Sequence, residues 1–451
     1  MQRSWSINTE WASLESGSPE ERAAFATLGI SAFGTSLTAG HDRLLQSLRT
    51  APFLSAYHFA EWLAWNWWRL RWEPRKSSTE WELSHSVASI GNGYIWPNIH
   101  ILSDGQSITL VSKPTPDRER TPYRYISDAV SFISTADFEN EVDRFIETVL
   151  RRLEDCQVTE SNLADIWRAV LEERLDEGLS RQRKLEALLG EDPGEVDETL
   201  IQRLLVDATL TGQDALEEIA ANRMPGRAVP DIGQLIQMTR THGTDTDPRD
   251  RVQLGSNAFT APSSMPAWKV GVHAAQALRE QLHLNPDDPI PNAKLAELYG
   301  APSDLLDDPA GSSPPPDLSL ALTESAGSSE HSTVLLRSKW ETGRRFELAR
   351  LLGDHLTHDT HEPMRPATRS STYRQKVQRA FAAELLSPFR AVDEMLAGDY
   401  SMESQQDVAH HFEVSDWTVR ALLVSHGRID RSELDEIDGP SLSNSPIAHT
   451  A

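Results

Sequence analysis

Cysteine is nearly absent: Cys156 is the only one in 451 residues. A single thiol excludes an internal disulfide framework and a cysteine zinc cluster. Its acidic helical setting offers nothing to lower a thiol pKa, so Cys156 reads as a small buried packing residue. Positive charge is also scarce. Against 68 Asp and Glu stand 43 Lys and Arg, a formal charge of −25, which repels polyphosphate over most of the surface and argues against a general nucleic-acid coat. No uncharged run approaches the ~18 apolar residues of a membrane span, and the first thirty residues lack the basic start and apolar run of a secretory leader. A cytoplasmic protein with no membrane partner is the expectation.

The length calls for two or three units at roughly 150 residues each, and the sequence pattern supplies boundaries. Residues 1–50 are polar with frequent Gly and Ser and read as one or two short helices. In AYHFAEWLAWNWWRLRWEPR, closed by Pro74, Trp62, Trp65, Trp68 and Trp72 recur at spacings of three, three and four, the stripe of one helical face. Aromatics so placed usually build a core. Trp67 lies off the stripe and is the candidate for an exposed recognition residue. In GYIWPNIHILSDGQSITLVSKP, β-branched runs flank Ser103-Asp104-Gly105, the chemistry of a β-hairpin turn.

These features place a Trp-rich α+β unit at 1–125. Heptad-like apolar spacing with capping Asp, Ser and Thr then places a helical bundle at 126–240. A polar linker, 241–265, leads to a last domain at 266–430, interrupted by a Pro/Ser-rich insertion at 301–332 and followed by a flexible tail at 431–451. The expected class is α+β, predominantly helical.

The chemistry-bearing stretch runs from Ser332 to Pro363. An apolar strand, Val334-Leu335-Leu336, turns into a helix near Gly343 that reads Arg345-Phe346-Glu347-Leu348-Ala349-Arg350-Leu351-Leu352-Gly353-Asp354. Further on stands Phe381-Ala382-Ala383-Glu384-Leu385-Leu386-Ser387-Pro388. In this order and spacing the two runs resemble the active-site helix (RFTLAHELGH) and the second helix (EANRFAAELLMP) of the ImmA/IrrE family of zinc metallo-endopeptidases. The resemblance covers residues 266–430 and implies a zincin-like domain preceded by the helical bundle and the Trp-rich unit.

A zinc peptidase needs two neutral His one helical turn apart and a Glu between them to activate water. By the resemblance those positions are Arg350, Asp354 and Leu351, with Val377 at the third ligand. Arginine has no lone pair for a metal and leucine no basic atom. The resemblance therefore implies a pseudopeptidase without zinc or other cofactor: a regulatory protein that acts through a protein partner, in bacterial stress, mobile-element or phage-defence control. Two other readings stand beside it. One is a zinc peptidase with substitute ligands, for which His355, His358 and His361 at spacing three are the candidates. The other is a nucleic-acid-binding regulator. Between Arg337 and Arg390, eleven Lys and Arg face six Asp and Glu, so Arg345, Arg350, Arg369, Arg374 and Arg379 either neutralise an acidic remnant, for instance as an Arg350–Asp354 pair, or form an anion-binding groove. Residues 405–423 also fit helix-turn-helix spacing, with Glu413 in place of the usual turn Gly and few base-reading side chains in the second helix. His410 and His411 read as surface residues.

Overall fold

Alternation that the polar character of residues 1–50 conceals organises the N-terminal end. Every second residue of Phe25–Ala32 is buried, and this strand pairs antiparallel with Trp5–Trp11, Ile7 opposite Ile30. The expected helices reduce to the short Pro19–Ala23, because period-2 burial outweighs the Gly and Ser that suggested breaks. The computed structural model describes residues 4–116, 120–224, 226–255, 265–307, 318–326, 329–358 and 362–430. The class is α+β and predominantly helical, and the chain divides into two compact units, 1–201 and 202–451.

In the first unit the hairpin at Asp104 joins Asn98–Ser103 to Ser107–Lys113, and Ala129–Ser134 adds a third antiparallel strand. Asp104 Oδ1 accepts the backbone N–H of Gln106 and Ser107, which fixes the turn. The helix Thr135–Asp155, capped by Ser134, lays Phe138, Val142, Phe145, Ile146 and Val149 into the core that also holds Trp5, Leu28, Phe59, Leu63 and Trp68. Helices Asn162–Leu175 and Glu177–Leu189 contribute Trp167 and Ala187 to it. The boundary drawn at 125 from sequence thus falls inside one hydrophobic core, since the amphipathic helices that follow bury their apolar faces on the preceding sheets. Cys156, expected to be buried, caps the end of Thr135–Asp155 and is exposed.

The tryptophan stripe is broken at Asn66. Its amide donates to Trp62 O at 2.8 Å, ending the helix Ala56–Trp65, and a second helix runs Trp67–Trp72. The break rotates the register. Trp65 stands 55% exposed, while Trp67, the expected recognition residue, is buried edge-on against Trp68 at 4.8 Å, with the Arg174 guanidinium 4.7 Å from its ring centroid.

The second unit centres on an antiparallel sheet in the order Thr244–Thr246, Ser329–Leu335, Ser319–Ala326, Met364–Ala367. Thr244–Thr246 lies in the expected linker, Ser329–Leu335 begins in the expected insertion and runs into the expected strand at Val334-Leu335, and Ser319–Ala326 lies within the insertion. Leu318, Leu320 and Leu322 are buried there, so the end of the Pro/Ser-rich stretch is core rather than loop. At its other end Leu305 and Leu306 are also buried; residues 308–317 and 327–328 of the insertion, part of the linker, the tail 431–451 and His361 lie outside the described residues.

The helix Glu341–Thr357 packs on this sheet, and the helices Ala267–Gln281 and Tyr373–Leu386 pack against it and against each other. They approach closely at two glycines. A Cβ on Gly271 would meet Val377 O at 2.5 Å and Phe381 N at 2.7 Å, and one on Gly353 would meet the Phe381 ring at 2.6 Å. The obstacle at Gly271 is backbone and cannot yield without parting the helices. Overpacking of about 1–3 kcal/mol therefore exceeds the helix-propensity gain of about 1 kcal/mol for replacing Gly by Ala. Gly271→Ala is expected to lower the unfolding midpoint of the second unit, and an unchanged or raised midpoint would count against this packing.

Candidate functional site

Asp354, at the second motif position, is 1% exposed and anchors a network reaching three elements. Its Oδ1 accepts from Arg374 Nε at 2.7 Å and Gln378 Nε2 at 3.0 Å. Its Oδ2 accepts from Arg374 Nη2 at 2.7 Å and Arg365 Nη1 at 3.1 Å. Burial opposes a charge here, but Arg374 and then Arg365 outweigh it and hold the Asp354 carboxyl well below the usual range. The same pairing overcomes the desolvation of Arg374 and raises its pKa. Beside Arg374 lies Glu362, at 3.6 Å, whose carboxylate accepts the backbone N–H of Asp214 and Ala215 at the start of the helix Gln213–Ala221.

Arg350, at the first motif position, does not pair with Asp354 as the spacing of four suggested. Its Nη2 donates to Thr368 O at 2.6 Å, to Gln375 Oε1 and to Gln378 Oε1. The two side chains on one face of the helix find separate partners because the neighbouring strand and helix offer bidentate and amide groups that outcompete a local i,i+4 contact. Leu351 is core. Val377 is buried against Ala267 and Val270, whereas Gln378, one residue and about 100° further round its helix, faces Asp354. The third-ligand position read from the motif thus points away from the other two.

These groups do not fit a zinc ion. Arg350 and Leu351 have no donor pair, Val377 faces elsewhere, and both Asp354 oxygens are engaged by cations. Of the substitutes, His355 accepts from the Gln253 amide at 2.9 Å and is pushed down to about 4 by burial, then Arg251 and Arg365. His358 lies 3.4 Å from Asp214. Among the described residues no group of three His, Cys, Asp or Glu converges as metal ligands do.

The expected basic face divides. Arg345 is fully buried, donating to Ile290 O and Glu413 O. Arg374 and Arg365 are buried on Asp354. Arg379 is half-buried, donating to Ser370 O at 2.9 Å, and Arg369 is exposed. Helix-turn-helix spacing is matched by Met402–His411 and Asp416–Ser425, with Glu413 in the left-handed region at φ 54°. His410 and His411 are exposed.

Beside the network opens a cavity of about 680 Å³, floored by Arg350. Trp268, Phe346 and Trp417 supply its apolar wall, and Arg337 and Arg379 join Arg350 around the single carboxylate of Glu347. Two helices begin at it, at Thr342-Gly343 and at Ser415. Burial and then the nearby Arg379 push Arg350 down to about 9.

Comparison with family models, with curated proteins and with solved structures returned no match. The reading of this site therefore rests on its own geometry.

Sequence reasoning located Arg350 and Asp354 but missed Trp268, Trp417 and Arg337. A tryptophan beginning each of two helices roughly 150 residues apart leaves no local signal. Only the excess of arginine between 337 and 390 pointed at the cavity.

Proposed function

We propose that the second unit is a non-catalytic binding module on an ImmA/IrrE-like peptidase scaffold, within a regulatory protein that acts through a protein partner. The observation that supports this is that Asp354, at one of the positions where that family holds its metal, is buried and bound by Arg374 and Arg365. A scaffold whose ligand positions hold an arginine, a valine and an ion-paired aspartate retains its packing without hydrolytic chemistry. Control of stress responses, mobile elements or phage defence in the cytoplasm follows by analogy with the family alone.

The nucleic-acid reading has less to stand on. Arg345, Arg365 and Arg374 are buried and committed to protein acceptors, so they are unavailable to a nucleic-acid backbone. The second helix of the helix-turn-helix pair turns Trp417, Thr418 and Ala421 toward the cavity rather than presenting a clear base-reading face.

Metal analysis of the purified chain at neutral pH is expected to give no stoichiometric zinc. One zinc per chain that disappears in Asp354→Ala or His358→Ala would overturn the proposal in favour of a peptidase with substitute ligands.

A further inference from the structure

We infer that the cavity beside Arg350 is a binding site for a small amphipathic anion, one carboxylate or phosphate group on a flat apolar body. The inference rests on reading the second unit as a binding module, and on the contents of the cavity for the ligand's chemistry.

The charge inside is unbalanced. Among the lining residues Arg337, Arg350 and Arg379 face one carboxylate, Glu347, which is already occupied, by Arg337 at 3.3 Å and by the Ser338 N–H at 2.9 Å, while the buried Glu218, held by Ser370 and Thr372, offsets Arg350 and Arg379 only from outside the lining. Arg350 is 7% exposed, yet its three hydrogen bonds all use Nη2 and its buried Nε has no partner among the described residues. Leaving a buried guanidinium donor unsatisfied costs stability, and the under-compensated positive charge of that guanidinium draws an anion into the cavity it lines. The start of the 17-residue helix Glu341–Thr357 adds to the attraction, because its N-cap, Trp340, makes no side-chain capping bond and Thr342 and Gly343 line the cavity.

The remaining wall sets the ligand's body. Trp268, Phe346 and Trp417 present aromatic surface, which suits a planar apolar group. At about 680 Å³ the cavity falls within the roughly 300–1,000 Å³ range of small-molecule sites. The formal charge of −25 opposes the approach of a polyanion while a single charge pays a far smaller penalty.

Calorimetric titration of the full chain tests this with two compound probes, indole-3-acetate for a carboxylate and adenosine 5′-monophosphate for a phosphate, beside indole and inorganic phosphate as their halves. At least one compound probe is expected to saturate one site per chain and to bind about tenfold or more tighter than either half. Which one does so identifies the head group. Arg379→Gln and Trp417→Ala are each expected to weaken it by about tenfold, and Arg369→Ala, which lies off the cavity wall, to leave it unchanged. These two variants carry the test if Arg350→Gln fails to fold. Absence of binding by both compound probes, binding no tighter than that of indole, or affinity indifferent to both variants would overturn the inference. Zinc content measured on the same preparation separates the two proposals: a zinc-bearing chain that binds the probe sinks only the non-catalytic reading, and a zinc-free chain that binds neither sinks only this one.

Discussion

Asp354→Asn is expected to destabilise the second unit by about 3 kcal/mol, the lower end of the range for breaking a buried ion pair by removing one partner. The substitution keeps the volume but removes the charge that balances Arg374 and Arg365, and it turns an amide N–H toward guanidinium donors. Glu362, 3.6 Å from Arg374 Nη1, remains as a weaker partner, which is why the upper end is not expected. Arg374→Met in the Asp354→Asn background should return part of the loss, since it removes the uncompensated buried guanidinium that the first substitution leaves behind. The coupling of the two substitutions then measures the pair itself. Hydrogen exchange of segments 341–357 and 373–386 reports on this unit directly. A change below about 1 kcal/mol would mean that the network does not hold these helices together.

Much of this site was legible because it is local. The strand-to-helix pattern and the Phe381 run occupy single helices whose apolar spacing is set by a period of 3.6, and Asp104 writes its turn into adjacent residues. What the sequence withheld is long-range. Asp354 is neutralised from Arg365 on a strand and Arg374 on another helix, and no spacing rule pairs residues across elements. The direction of a helix about its own axis is equally hidden: one position decides between Val377, which faces Ala267, and Gln378, which faces Asp354. The tryptophan stripe shows the same limit in reverse. Its spacing was regular, but the Asn66 side chain competes for the Trp62 carbonyl, and the resulting break buries Trp67 and exposes Trp65. Composition misled at the strand Ser319–Ala326, where alternating Leu residues outweigh the Ser and Pro of the stretch.

Acid is expected to weaken the first unit between pH 6.5 and pH 4 through His85. This histidine is fully buried at the end of the helix Thr79–His85, stacked on Trp81 at 4.3 Å. Its Nδ1 meets Trp81 O at 2.9 Å and Ser84 Oγ at 3.1 Å, and its Nε2 lies 3.3 Å from Arg69 O and 3.8 Å from Glu73 Oε2. Burial pushes the imidazole down to about 4. Glu73 pulls it up, but Arg69 opposes that pull, and Glu73 is itself shared with Arg69 at 2.8 Å and Lys76 at 3.6 Å. Because the folded value lies below the unfolded one, the unfolded chain takes up the proton first as pH falls. Stability is therefore full above about pH 6.5 and declines toward pH 4, by about 3 kcal/mol at 1.36 kcal/mol per unit. All of the 13 tryptophans except Trp268, Trp340 and Trp417 belong to the first unit, so urea unfolding followed by tryptophan fluorescence reads this unit selectively. In His85→Gln the decline over that interval should flatten, since glutamine offers polar atoms without a proton to gain. A variant that loses stability as steeply as the wild type between pH 6.5 and pH 4 would assign the acid sensitivity to other groups.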